Sequence, residues 1–387
     1  MKAKSKLKEK IGGWAAFAAF TVIGGIAGGL MGVALKDRML GGVCLSGNLI
    51  ALGTALLVIC AAGFLQIVLH ELGHLVFGLL SGYRFVSFRV GSLMLAAEEE
   101  GCRFRRYTVA GTGGQCLMLP PPRSADGGYP TVLYNLGGSA FNFLSIALCL
   151  LLYPVLPNAL FLRIFLWGNA VFGLLMGLSN AIPLKLGGIA NDGYNALALR
   201  KDPVGLRAFW VQLQVNGLMT RGQDLADMPP QWFVLPGEEA LKNPIVGGLA
   251  NLCAAYHHSR RDFERAEQVS RYLLEHAPGM LELHRNELRC ELLFYEIIGP
   301  CRRQEIDALY TGALKKYMQA TKIYLSRIRL QYAYELLVLR DEKRAQKTLA
   351  RFHKAAKSWP YRAEVKTEGE LMKLIEQKAR ALPSSEA

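Results

Sequence analysis

From about Val43 to Leu80 the chain is apolar almost without interruption, yet this run contains His70-Glu71-Leu72-Gly73-His74. A helix places residues four apart on one face, so both imidazoles can reach a single point. The run is long enough to cross a bilayer with residues to spare. Ionisable groups at membrane depth cost roughly 2.5 kcal/mol or more each, so those that occur there are usually functional. A His pair that merely decorates a helix surface suits a soluble chain better than this one.

Three further apolar segments accompany it: about Ile11–Leu35, rich in Gly and Ala, Val132–Tyr153, closed by Pro154 and Pro157, and Ala159–Ile182, closed by Pro183. The motif-bearing run is longer than one membrane thickness requires; it starts nearer Leu49, tilts, or breaks at Gly53 or Gly63. The basic start, Met1 to Lys10, followed by a long apolar run with no cleavage site, reads as a retained span rather than a signal peptide. Half the residues are hydrophobic (51%), yet the net charge is +14. The two properties separate along the chain, with apolar residues in the first half and Arg, Lys and Glu in the second. Positive charge on such a chain belongs to cytoplasmic loops and anionic lipid, so nucleic acid is not needed to explain it. Four crossings keep both termini in the cytoplasm. Lys36–Gly42 and Pro154–Asn158 then face outward, and the Arg-rich Ser81–Thr131 faces inward. The eight cysteines form no C-x-x-C pair and read as reduced, mostly buried small hydrophobes.

The expected fold is mainly α. Residues 1–42 are a basic tail and first span. Residues 43–200 are a transmembrane catalytic core with a small β insertion near 82–122. There Arg84–Val90, Arg103–Val109 and Gln115–Leu119 read as strands, an ordinary loop with a hairpin being the plain alternative. Residues 201–248 read as a linker or irregular segment, rich in Pro and Gly from Leu225 to Gly248. Residues 249–387 read as a soluble, cytoplasmic array of helical hairpins. Two stretches there echo each other, Arg261-Asp262-Phe263-Glu264-Arg265-Ala266 to Pro278 and Arg340-Asp341-Glu342-Lys343-Arg344-Ala345 to Pro360. The pattern is partly that of tetratricopeptide (TPR) repeats. His257, His258, His276, His284 and His353 read as surface or packing residues.

The spacing H-E-x-x-H is that of zinc peptidases: two imidazoles hold the ion, and the Glu deprotonates a water. A catalytic zinc usually takes three protein ligands, so a His, Asp or Glu near the same membrane face is missing. Asp192 is the carboxylate nearest the end of the last apolar segment. Asn191-Asp192-Gly193 is also good turn chemistry, and Asp192 could simply cap a helix. With these motifs in this order, the chain resembles the site-2 protease family of intramembrane zinc metalloproteases over about residues 43–200. The matching residues are His70-Glu71-Leu72-Gly73-His74, Asp192-Gly193 with Asn180 and Pro183 before it, and Gly138-Ser139-Ala140-Phe141-Asn142. The resemblance implies Zn2+ on His70, His74 and Asp192, Glu71 as general base, and Asn142 orienting substrate or supporting the oxyanion. It implies a membrane-anchored protein or peptide as substrate, with the helical domain selecting substrates or binding a cytoplasmic partner. Two other classes compete. A catalytically inactive membrane scaffold of the same fold has no need of Glu71. A transporter or channel with a metal site predicts polar or charged residues along several spans.

Overall fold

The structure is a computed structural model that describes residues 45–98, 101–107, 112–186 and 189–381. The expected first span, Ile11–Leu35, lies outside the described residues. Among the described residues three helices are long and apolar enough to cross a membrane: α1 (Leu45–Leu80), α2 (Val132–Val155) and α3 (Leu160–Ala181). Gly53 and Gly63 do not break α1. Proline sets the other ends: Pro154 stands in the last turn of α2, and α3 stops two residues before Pro183, because proline supplies no N–H to continue a helix.

The three helices pack against one another, and their polarity is inverted relative to a water-soluble bundle. Leu52, Leu57, Leu80, Leu144, Leu151 and Val155 face outward, whereas Gln66, His70, Glu71, His74, Asn142 and Asn169 are buried between helices. That arrangement suits a hydrocarbon surround, where polar groups must find partners inside. Small residues bring α1 and α2 together: a Cβ on Gly73 would overlap the Gly137 carbonyl, so only glycine allows this crossing.

The chain forms two compact units, Met1–Gly91 with Ala110–Pro203, and Ser92–Val109 with Val204–Ala387. The first unit contains α1, α2, α3 and the antiparallel pair β1 (Arg84–Val90) and β4 (Gly114–Leu119), which has a bulge between Phe85 and Ser87. The second unit begins with an antiparallel hairpin, β2 (Leu93–Glu98) and β3 (Gly101–Arg106), paired from Leu93↔Arg106 to Glu98↔Gly101. The segment near 82–122 is thus a set of strands, and β2 is one that the expected pattern did not include.

The rest of the second unit is helical. It comprises α4 (Pro203–Thr220), α5 (Pro244–Ser259), α6 (Phe263–His276), α7 (Glu282–Ile298), α8 (Arg303–Leu309), α9 (Gly312–Ala320), α10 (Leu325–Ala333), α11 (Glu342–Ser358) and α12 (Arg362–Ala381). Residues 201–248, expected as a linker, contribute α4 and three short 3-10 turns whose Leu225, Phe233 and Leu241 are buried in a core with Val211 and Leu249. The two echoing stretches share one turn geometry. Arg261 (φ 63°) and Arg340 (φ 53°) take the left-handed conformation that ends a helix. Asp262 and Asp341 then cap the next helix by accepting from the Arg265 and Arg344 amides at 3.1 and 3.0 Å. Each cap is worth about 1 kcal/mol.

Candidate metal centre

Three segments meet at one point inside the first unit. α1 presents His70, Glu71 and His74 on its buried face, as the four-residue spacing requires. α2 lies across them. The chain returning after α3 supplies Asp192. His70 Nε2 lies 3.2 Å from Asp192 Oδ2, His74 Nε2 lies 3.3 Å from the same oxygen, and the two Nε2 atoms are 3.2 Å apart. This is the one group of three or more His, Cys, Asp or Glu residues among the described residues that could hold a metal ion.

The turn that delivers Asp192 is a small hairpin, β5 (Lys185–Leu186) with β6 (Ile189–Ala190). Asn191 pins it. Its Oδ1 accepts from the Leu184 and Tyr194 amides at 3.0 and 2.9 Å, and its Nδ2 donates to the Ser179 and Ile182 carbonyls. Gly193 is required by close approach: a Cβ there would stand 2.8 Å from the Asn180 carbonyl oxygen. Asn180 itself donates back along its own helix to the Met176 carbonyl at 3.0 Å. Asp192 does not cap a helix with its side chain, because the turn's amides are taken by Asn191. Burial pushes the Asp192 carboxyl up, but the imidazoles of His74 and His70 outweigh it and hold it well below the usual carboxylate range.

The donor chemistry fits a metal ion. His74 Nδ1 lies 2.8 Å from the Tyr134 carbonyl, which can only accept, so Nδ1 carries the hydrogen and Nε2 offers a lone pair. Two imidazole nitrogens and a carboxylate oxygen converge on one point, a donor set that could hold a metal ion. Tetrahedral zinc, with bonds of about 2.0–2.1 Å, spaces its ligand atoms by about 3.3–3.4 Å. The observed triangle, with edges of 3.2, 3.2 and 3.3 Å, matches this within a tenth or two.

Glu71 is buried beside β4, where its carboxylate accepts from the Cys116 amide. It fits there because residue 114 has no side chain: a Cβ on Gly114 would come within 2.6 Å of Glu71 Cγ. Asn142, fully buried on α2, meets His70 Nδ1 at 2.7 Å. Sequence reasoning did not single out Gln66, Tyr134 or Asn191. Gln66 had a signal available, since an amide four residues before His70 in an apolar run shares its helix face.

The second unit carries its own cluster of buried charge. A cavity of about 330 Å³ is lined by Asp224, His258, Glu287, Glu291, Glu364 and Glu368, among others. Arg329, 1% exposed, bonds Glu291 and Glu368 at 2.7 Å each, and Arg327 pairs with Glu287. Glu364 accepts from Trp359 Nε1 at 2.8 Å. Asp224 accepts from the Ser259 and Thr367 hydroxyls. Burial pushes the His258 imidazole down to about 4 and Glu364 up to about 7. His258 is a packing residue, as the sequence suggested, with Nδ1 2.9 Å from the Tyr295 hydroxyl.

Comparison with protein-family models, curated proteins and solved structures found no match to this chain.

Proposed function

We propose that the chain is a membrane-embedded zinc metalloendopeptidase that hydrolyses peptide bonds in or near the transmembrane segments of membrane-anchored proteins or peptide precursors. The observation that carries this reading is the convergence of His70, His74 and Asp192 beside a buried Glu71, in the polar interior of otherwise apolar helices. Zinc, when bound, supplies Lewis acidity for a peptide carbonyl and makes a neighbouring water acidic enough to lose a proton near neutral pH. Glu71 accepts that proton and returns it to the leaving amine nitrogen. Asp192 and the imidazoles keep their lone pairs on the ion. A helix hides its carbonyls in hydrogen bonds, so the substrate unwinds locally before cleavage, and the β1–β4 pair beside Glu71 favours an extended segment. The helical unit, read as a cytoplasmic TPR-like array, selects or regulates substrates.

The test uses detergent-purified protein. Wild type should contain about one zinc per chain, and His74→Ala and Asp192→Ala should contain none. Glu71→Gln should keep its zinc and lose cleavage of single-span peptides in proteoliposomes, read by mass spectrometry. No zinc in well-folded wild type refutes the reading. Zinc present with no Glu71-dependent cleavage favours the scaffold.

A further inference from the structure

Four buried side chains of the membrane unit form a directed hydrogen-bond chain that ends on His70. Asn142 Nδ2 donates to the Gln66 backbone carbonyl at 3.1 Å and to Gln66 Oε1 at 2.8 Å. Gln66 Nε2 donates to Asn169 Oδ1 at 3.1 Å and to Ser145 Oγ at 2.8 Å. Asn169 Nδ2 donates to the Phe165 carbonyl at 2.9 Å. Gln66 and Asn142 are fully buried and Asn169 is 2% exposed. The two carbonyl contacts decide which way the asparagine amides point. A backbone carbonyl only accepts, so the Asn142 nitrogen faces Gln66 and its oxygen faces His70. The same reasoning turns the Asn169 oxygen toward Gln66.

We propose that this amide chain makes Asn142 a positioning residue that fixes His70 as the tautomer with hydrogen on Nδ1, and so holds its Nε2 lone pair on the metal. The inference rests on the metal-centre reading above and replaces the substrate or oxyanion role expected for Asn142. Both hydrogens of its amide are already used on Gln66, so none remains for an oxyanion. His70 Nδ1 donates to Asn142 Oδ1, as His74 Nδ1 donates to the Tyr134 carbonyl, and both ligands therefore present Nε2. The chain runs in one sense, from His70 through Asn142 and Gln66 to Asn169, so each amide polarises the next and strengthens the acceptor on His70. Partners that orient a ligating imidazole typically contribute 10–100-fold to metal affinity. Mutual glue between helices would need no such terminus on an imidazole.

The experiment measures zinc affinity by chelator competition, with thermal stability alongside, in the full detergent-purified chain. Asn142→Leu should bind zinc about 10–100-fold more weakly than wild type. Asn142→Asp keeps an oxygen to accept from His70 and, protonated in its buried site, an O–H for Gln66; it should stay within several-fold of wild type. Gln66→Met, one step removed, should weaken zinc several-fold and provides the test if Asn142→Leu does not fold. Unchanged zinc affinity in folded Asn142→Leu or, failing that variant, in Gln66→Met overturns the inference, and lowered stability alone assigns the chain to helix packing. No zinc in wild type overturns the metal-centre reading itself, a distinguishable result.

Discussion

Two glycines act on the metal centre through the side chain they lack. A Cβ on Gly138 would stand 2.6 Å from His70 Cε1, so Gly138→Ala should displace the ring and lower zinc content, read by metal analysis against wild type. Gly114→Ala should instead leave zinc in place and push Glu71 from its seat. A misplaced base of this kind should cost about 100-fold in peptide cleavage. The contrast separates ligand geometry from base geometry. His70, Glu71 and His74 were legible because one helix fixes their relation through its period alone. Asp192 was legible because a carboxylate after the last apolar run is chemically scarce there. Asn142 was legible only through the resemblance, and its pairing with His70 was not, since it reaches that ring from 72 residues away and no local spacing encodes such a contact. Asn191 looked like generic turn chemistry, and only the folded turn shows four hydrogen bonds converging on its side chain.

At the level of elements, Arg84–Val90 was legible as a strand from its aromatic and β-branched residues. β2 was not, because Leu, Met, Ala and Glu favour helices and strand pairing, including that with β3, holds them extended. Residues 201–248 resembled a linker because short 3-10 turns rich in Pro and Gly have no period, although their apolar side chains are buried. Arg327 and Arg329 of α10 are buried, each paired with carboxylates. Removing one leaves its carboxylates buried and unpaired, so Arg329→Leu should destabilise the helical unit by about 3–5 kcal/mol, measured by chemical denaturation. The same cluster sets a pH response. His258, held near 4 against 6.5 when unfolded, contributes stability that is present above 6.5 and lost as pH falls through 4. Glu364, held near 7 against 4.5, contributes stability that is present below 4.5 and lost as pH rises through 7. Between these limits the two slopes oppose, each at most about 1.4 kcal/mol per pH unit. Wild type should therefore lose less stability on acidification from pH 6.5 to 4.5 than Glu364→Gln, which lacks the opposing contribution. Thermal-shift measurements at stepped pH distinguish the two.

At the scale of the whole molecule, the proposed topology follows from charge: the Arg-rich segment after α1 and the basic helical unit remain in the cytoplasm. A fluorescent reporter that matures only in the cytoplasm should light when fused after Ala387. Alkaline phosphatase inserted between Pro157 and Asn158 should be active outside. The reverse pattern would place the metal centre at the opposite membrane face. The hairpin of β2 and β3 adds a constraint on how the protein is made. It belongs with the helical unit but is encoded within the membrane unit, and Tyr107 after it packs edge-on against Trp359 and Tyr361. Those partners leave the ribosome roughly 250 residues later, a wait on the order of ten to fifty seconds at ordinary rates of synthesis. Through that interval the hairpin lacks those aromatic partners. The newborn chain thus carries a hairpin without its aromatic partners, and translation speed, as much as stability, decides how long it is exposed.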